Sequence, residues 1–146
     1  MARHTADMST ASSGAIAGRL RGAGLRPTRQ RIALASLLFG SGDRHVTAEQ
    51  LHEEAVLAEV PVSLATIYNT LHQFTKAGLL RELHVAGART VFDTNTSIHH
   101  HYVFDADGRV EDIPVGDMRV LGLPEPPSGT QVSRVEVVVR LAENGR

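Results

Sequence analysis

The chain contains no cysteine. That excludes disulfides, thiolate zinc sites, iron–sulfur clusters and thiol nucleophiles, so any metal must be held by histidine and carboxylate. No apolar run approaches the roughly 20 residues that a membrane helix needs, so no membrane partner is expected. The opening stretch MARHTADMSTASSGA lacks the apolar segment of a secretory signal. It is expected to be a disordered tail over 1–14, in a protein resident in the cytoplasm. Lysine is nearly absent, with fourteen of the fifteen basic residues being arginine, and the net charge is only −1.

That small net charge hides an uneven distribution. Residues 1–93 carry ten basic residues against eight acids, and residues 94–146 carry five against eight. Arg19, Arg21, Arg26, Arg29 and Arg31 fall within residues 16–31 with no acid among them. Such a stretch is either a solvated arginine face or an electrostatic footprint for phosphate. The 146 residues allow one ordinary domain or two small ones.

The pattern predicts a short helix over 15–24, then an extended step forced by Pro27 on Arg26. Thr28 is the N-cap of a helix over 29–39, with Ile32, Ala35, Leu38 and Phe39 on one face. Thr47-Ala-Glu-Gln50 is a capping box opening a helix from 48 to about 58, with Leu51, Ala55 and Ala58 inward and Glu53 and Glu54 facing water. Ser63 caps a helix over 64–77 with Ile67, Leu71 and Phe74 in one buried stripe, closed by Lys76 and Gly78. LLRELHV (79–85) and RTVFD (89–93) then flank Ala86-Gly87-Ala88 as a β-hairpin. Helices followed by a hairpin describe a winged helix.

After a short linker, TNTS (94–97), the expected order is strand 98–104, turn 105–108, strand 109–113, a short helix from Pro114 to about 122, a Pro/Gly-rich loop and strand 131–141. The last strand alternates Val135, Val137, Val139 and Leu141 on one face. The fold class is therefore α+β: a winged-helix DNA-binding domain over 15–93 and a small α/β dimerisation and sensing domain over 98–146. The second domain is too small to cover its own edges, which predicts pairing with a second copy as a homodimer.

In a helix-turn-helix the second helix enters the major groove with its first turn against base edges. Here that helix starts at Ser63 and presents Ala65, Thr66, Tyr68 and Asn69. Ala65 and the Thr66 methyl suit thymine methyls, and Asn69 suits adenine. Tyr68 is read as a contact to a base or a phosphate, against the alternative of a half-buried packing tyrosine. Arg26, Arg29 and Arg31 lie where phosphates are clamped, Arg19 precedes them, and Arg89 sits on the wing. The expected partner is duplex DNA with an AT-rich operator.

Three of the eight histidines are consecutive: His99, His100 and His101. On a strand, His99 and His101 share a face and His100 takes the other. Two strand residues rise about 6.6 Å, so two imidazoles can lean onto one ion. Asp93 and Asp112 are candidate carboxylates, and His45 can close the site from the first domain. Imidazole with carboxylate suits one iron, manganese or zinc ion per subunit. His99, His100 and His101 are also candidates for haem, with His100 as an axial imidazole and Tyr102 as an alternative haem-facing residue.

These residues resemble the ferric uptake regulator family. The matching text is AGLRPTRQRIALASLL (23–38), HVTAEQLHEEA (45–55), VSLATIYNTLHQFTKAGLL (62–80), RTVFD (89–93) and HHHYVFDADGRVEDI (99–113). The resemblance implies a homodimer, Tyr68 on DNA bases, Arg26 near the minor groove, and a sensory site of His45, Asp93, His99, His101 and Asp112. The structural zinc that many members hold with two CxxC pairs, the first of which would fall near Phe104 and Asp107, is not implied without cysteine. Nor is the family's further site, because His100 stands where an Asp is usual. The absence of cysteine and the HHH run are closest to the iron response regulator branch, whose members repress haem and iron metabolism genes and leave DNA when haem arrives. The Cys-Pro haem motif of some of those members is missing.

Two regulatory expectations follow: a repressor released from DNA by haem or iron, or a repressor that needs its metal to bind DNA. A third, a histidine-based metal carrier or enzyme, has less behind it. The chain has no HExxH spacing and no Gly-rich pocket loop, so it is not expected to be an enzyme.

Overall fold

The computed structural model describes residues 4–84, 89–114, 116 and 118–144. It divides into two compact units, Met1–Thr96 and Ser97–Arg146, a boundary that falls inside the expected linker.

The first unit opens with helix α1 (His4–Gly22). The expected tail and short helix differ from this, because the helix begins at His4. Alanine and methionine in ADMSTASSGAIAGRL favour that continuation. Ile16 and Leu20 are its buried contacts. Gly24, at φ +80°, turns the chain, and the Leu25 N–H donates to the Leu20 carbonyl at 2.9 Å. Helix α2 (Arg29–Phe39) follows the Thr28 cap, whose hydroxyl accepts from the Arg31 N–H at 3.1 Å.

Strand β1 (His45–Val46) and helix α3 (Ala48–Leu57) come next. The capping box forms as the sequence predicts: the Gln50 N–H donates to the Thr47 hydroxyl at 3.1 Å, and the Thr47 N–H to the Gln50 side chain at 2.9 Å. Leu51 and Ala55 are buried as expected, but Ala58 is exposed. Glu54 does not simply face water: it forms a bidentate pair with Arg44. Helix α4 (Leu64–Lys76) starts at the Ser63 cap and buries Ile67, Leu71 and Phe74 completely, with Thr70 beside them.

Both α3 and α4 end in the same way, with one residue in the left-handed region and the next N–H reaching back five residues. On α4 that residue is Gly78 at φ +84°, and Leu79 donates to Phe74 at 2.9 Å. On α3 it is Glu59 at φ +59°, and Val60 donates to Ala55 at 2.8 Å.

Strands β2 (Arg81–Leu83) and β3 (Val91–Asp93) pair antiparallel, as the hairpin expectation requires; its tip, residues 85–88, lies outside the described residues. β1 adds to the other edge of β3, giving the order β1-β3-β2 with His45 opposite Asp93. The core joins Leu20, Leu34, Leu38, Val46, Leu51, Ile67, Leu71, Phe74 and Phe92. Four helices on a three-stranded wing make this unit a winged helix.

The second unit is a three-stranded sheet of order β5-β4-β6. β4 (His101–Phe104) pairs antiparallel with β5 (Val110–Asp112) through a turn at Gly108, φ +72°. β6 (Val138–Leu141) runs parallel to β4. Three expectations are corrected here. β4 starts at His101 rather than 98. β6 is confined to the last four residues of the 131–141 stretch. The helix from Pro114 to about 122 does not form among the described residues, which carry no regular structure from 118 to 122. Gly116 and Gly122 take left-handed φ values of +106° and +75°, which a helix does not accommodate.

Candidate metal centre and nucleic-acid interface

In the first unit, β1 and β3 present His45 and Asp93 as direct cross-strand partners. His45 Nε2 lies 3.1 Å from Asp93 Oδ2. Asp93 is nearly sealed from water, and its other oxygen accepts from the Asn95 N–H at 2.9 Å. The pairing is locked one residue further on. The Arg44 N–H donates to the Thr94 hydroxyl at 2.8 Å, and the Thr94 N–H donates to the Arg44 carbonyl at 3.0 Å. Arg44 also donates to the Leu37 carbonyl of α2 at 3.1 Å and, through both terminal nitrogens, to Glu54 of α3 at 2.6 and 2.7 Å. Glu54 holds the Arg44 guanidinium above its ordinary pKa.

In the second unit, His99 and His101 converge on one carboxylate oxygen. Their Nε2 atoms lie 3.1 and 3.4 Å from Asp112 Oδ1, and their rings stand 4.4 Å apart, centroid to centroid. The register explains this: His101 is the direct partner of Asp112 across β4–β5. Both histidines are buried, while Asp112 is exposed. His99 Nδ1 donates to the Ser97 carbonyl at 2.6 Å, which fixes the tautomer and aims the Nε2 lone pair at Asp112. The donor atoms of His99, His101 and Asp112 all lie within 4.8 Å of one another. Two imidazole nitrogens and a carboxylate fit iron, manganese or zinc.

His100 takes the opposite face, as strand alternation predicts. Its Nδ1 accepts the Val137 N–H at 3.0 Å, next to β6. Tyr102 shares that alternation, half-buried opposite Glu111 and Val139.

The expected DNA-reading residues all belong to the first unit. Ala65 and Asn69 are exposed on α4, and Thr66 and Tyr68 are half-buried there. Tyr68 packs on the core with its ring stacked towards His72, 6.4 Å between centroids. Its hydroxyl donates to Glu49 Oε1 at 2.7 Å. Glu49 is a partner of Tyr68 that sequence reading missed. Its only signal was a first-turn acid on α3, which the helix dipole already explains.

Of the arginines, Arg26 and Arg29 are exposed, as is Arg89. The Tyr68 hydrogen bond holds the Glu49 carboxyl below its ordinary pKa, with a smaller contribution in the same direction from the Arg89 charge. Arg19 lies over the Phe39 ring at 4.1 Å. Arg31 is committed internally: it donates to the Arg26 carbonyl at 2.9 Å and to Gln73 of α4 at 3.0 Å. It therefore braces the arginine-rich loop against the recognition helix. Ser63 serves as the cap, its hydroxyl accepting the Thr66 N–H at 3.1 Å.

The family model for the ferric uptake regulator family matches residues 22–122. Among curated relatives, the ferric uptake regulation protein of Vibrio cholerae serotype O1 is 32% identical over 88 residues, 60% of this chain and 59% of that protein. The peroxide-responsive repressor PerR of Staphylococcus aureus is 37% identical over 94 residues, 64% of this chain and 62% of that protein. The chain thus spans about three fifths of the length of the curated relatives it matches. Two solved structures share the fold. The ferric uptake regulator from Pseudomonas aeruginosa with manganese has a TM-score of 0.67 at 24% identity, over 89% of this chain and 98% of that one. The Vibrio cholerae regulator has a TM-score of 0.67 at 22% identity, over 86% and 98%. A winged helix, a second unit carrying paired histidines on one aspartate, and a family match over more than half of the sequence agree: the chain belongs to the ferric uptake regulator family.

Proposed function

We propose that this protein is a metal-responsive, DNA-binding transcription repressor acting as a homodimer. The observation that carries the reading is the convergence of His99 and His101 on Asp112 Oδ1, with the His99 tautomer already set for ligation. We propose that His45 and Asp93 are metal ligands as well. Bound there, the ion supplies charge neutralisation and a fixed geometry. The chain's own residues do the rest: Arg44 and Thr94 hold His45 and Asp93 in register, and Ser97 orients His99. Helix α4 reads an AT-rich duplex through Ala65, Thr66, Tyr68 and Asn69, with Arg26, Arg29 and Arg89 on phosphates. Metal occupancy and DNA affinity are linked in this reading.

The finer reading, a repressor of iron and haem metabolism genes that haem releases from DNA, rests on the HHH run. The geometry sets its condition. His99 and His101 are buried, and a neutral His100 that accepts at Nδ1 carries its proton on Nε2. Holding a haem iron through Nε2 would therefore require His100 to give up its bond to Val137.

The test is a DNA-binding titration of metal-free protein, repeated with iron(II), manganese(II), zinc(II) and haem. Metal-dependent binding is the expected result. Binding that survives chelation and falls with stoichiometric haem would replace it with the haem-release reading. Replacing His99 and His101 together by alanine should abolish the metal response; a double variant that still responds would remove the cluster from the sensing role.

A further inference from the structure

Glu49 belongs to neither the metal ligands nor the expected DNA contacts, yet it takes the Tyr68 hydroxyl proton at 2.7 Å. A phenol donating to a carboxylate makes a strong, charge-assisted hydrogen bond. Both ends register it: the bond holds the Glu49 carboxyl below its usual range and pushes the Tyr68 phenol above its own. Glu49 sits in the first turn of α3, where the capping box fixes the backbone. Tyr68 is seated on the core. The bond therefore joins two rigid helices of the helix-turn-helix.

A consequence follows for what Tyr68 can read. Phosphate oxygens only accept hydrogen bonds, so a phenol whose proton is committed has nothing to give them. The phenol oxygen keeps acceptor lone pairs. In the major groove, the groups that donate are the exocyclic amines, adenine N6 and cytosine N4. Thymine O4, guanine O6 and guanine N7 are acceptors and find no partner there.

We propose that Glu49 is a positioning residue for base readout: by holding the Tyr68 proton it makes the tyrosine an acceptor, selective for an amine-bearing base in the major groove and indifferent to phosphate. This deepens the DNA-binding reading and rests on it. Glu49 also adds a negative charge to the face that meets DNA, which lowers affinity for every sequence alike. The residue exchanges general affinity for discrimination at one base pair. An Ala at this position offers the phenol no acceptor, which frees the tyrosine to donate and removes the charge.

The experiment uses the full-length protein loaded with manganese(II), and a library of randomised duplexes to find the preferred sequence. Each preferred adenine is then replaced by purine lacking the 6-amine, and each preferred cytosine by its analogue lacking the 4-amine. Binding is followed by fluorescence anisotropy. The unsubstituted protein should lose about tenfold in affinity at one such position, the worth of one hydrogen bond in a site built for it. Tyr68→Phe should abolish that loss at the same position, Glu49→Ala should reduce it because the freed phenol can donate as well as accept, and the double variant should behave as Tyr68→Phe alone. Glu49→Ala should in addition bind all duplexes more tightly at low salt.

A purely electrostatic or structural Glu49 would change affinity uniformly and leave the amine dependence intact; that outcome overturns the proposal. Loss of the dependence in Tyr68→Phe with an undiminished dependence in Glu49→Ala overturns it too, because Tyr68 would then read without Glu49. If the library yields no preferred sequence at all, the DNA-binding reading itself fails, and the assignment with it.

Discussion

Removing Glu54 should loosen the very strands that present His45 and Asp93. Arg44 and Glu54 meet through two hydrogen bonds, of 2.6 and 2.7 Å, with side chains 25% and 34% exposed. At an effective dielectric constant near 20, two unit charges about 4 Å apart attract by about 4 kcal/mol before desolvation is subtracted. Exposed pairs retain about 0.2–1 kcal/mol, whereas breaking a buried pair costs about 3–5 kcal/mol. With a quarter to a third of each side chain wet, Glu54→Ala should cost about 1–2 kcal/mol. The loss should spread, because the Arg44 backbone is bonded in both directions to Thr94, next to the His45–Asp93 register. Urea unfolding measures the cost, and amide exchange at His45 and Val46 measures the spread. Arg44→Met should cost a similar amount, and the double variant should cost less than the sum by about 1 kcal/mol. If His45 and Asp93 hold an ion as proposed, manganese(II) should restore part of the loss, since it would tie the same strands together. A Glu54→Ala variant within about 0.3 kcal/mol of the parent, or strictly additive costs, would refute this reasoning.

The Glu49–Tyr68 bond predicts a pH window. The lowered Glu49 contributes stability above its unfolded value of about 4.5 and loses it as pH falls through the lower folded value; the raised Tyr68 contributes below about 10 and loses it as pH rises beyond its folded value. The stability difference between parent and Glu49→Gln should therefore be flat from about pH 5 to 9 and shrink on either side; a steady slope across neutrality would contradict it. Glu59→Gly should stabilise the first unit by about 0.5–1 kcal/mol, because Glu59 sits at φ +59° where glycine carries no steric penalty; an unchanged urea midpoint would argue against strain there. Thr47→Ala should cost about 1 kcal/mol through loss of the capping box, read by urea unfolding. In sedimentation, the protein should run as a dimer at micromolar concentration, since the second unit leaves Ile98 65% and Leu121 86% exposed; a monomer would refute the homodimer expectation.

The first unit was largely legible because its signals are local. Thr28, Thr47 and Ser63 cap helices through bonds to residues three positions on, and the Ile67, Leu71 and Phe74 stripe follows from helical period alone. What stayed hidden depends on pairs far apart in sequence. β1 is two residues long and exists because β3 offers it an edge. Glu54 looks solvent-facing by period, yet Arg44 reaches it across ten positions. Arg31 reads as a phosphate clamp until Gln73, forty-two residues away, takes its second nitrogen. The pairing of the five expected metal ligands, His45 with Asp93 and His101 with Asp112, was not legible, because it is set by sheet register.

The second unit shows why alternation succeeded where strand length did not. β6 was expected over 131–141, but only Val138–Leu141 find a partner, because β4 itself offers only His101–Phe104. The ladder nevertheless continues past the strand ends. The His101 N–H donates to the Val137 carbonyl at 3.1 Å, and the Ile113 N–H donates to the His100 carbonyl at 2.9 Å. This keeps His100 extended, so the His99/His101 face and the His100 face stay opposite even outside the regular strand. The same alternation places His100 where its ring can take the Val137 N–H, making one imidazole part of the attachment of β6. β6 is the edge strand of its sheet, with Val139 and Leu141 only half-buried, so the face it contributes is the one a second copy would cover. An effector that took His100 would compete with the seating of β6, whereas an ion on His99, His101 and Asp112 would leave it in place. The two faces of the HHH run thus separate a ligand that stabilises the sheet from one that must first loosen it.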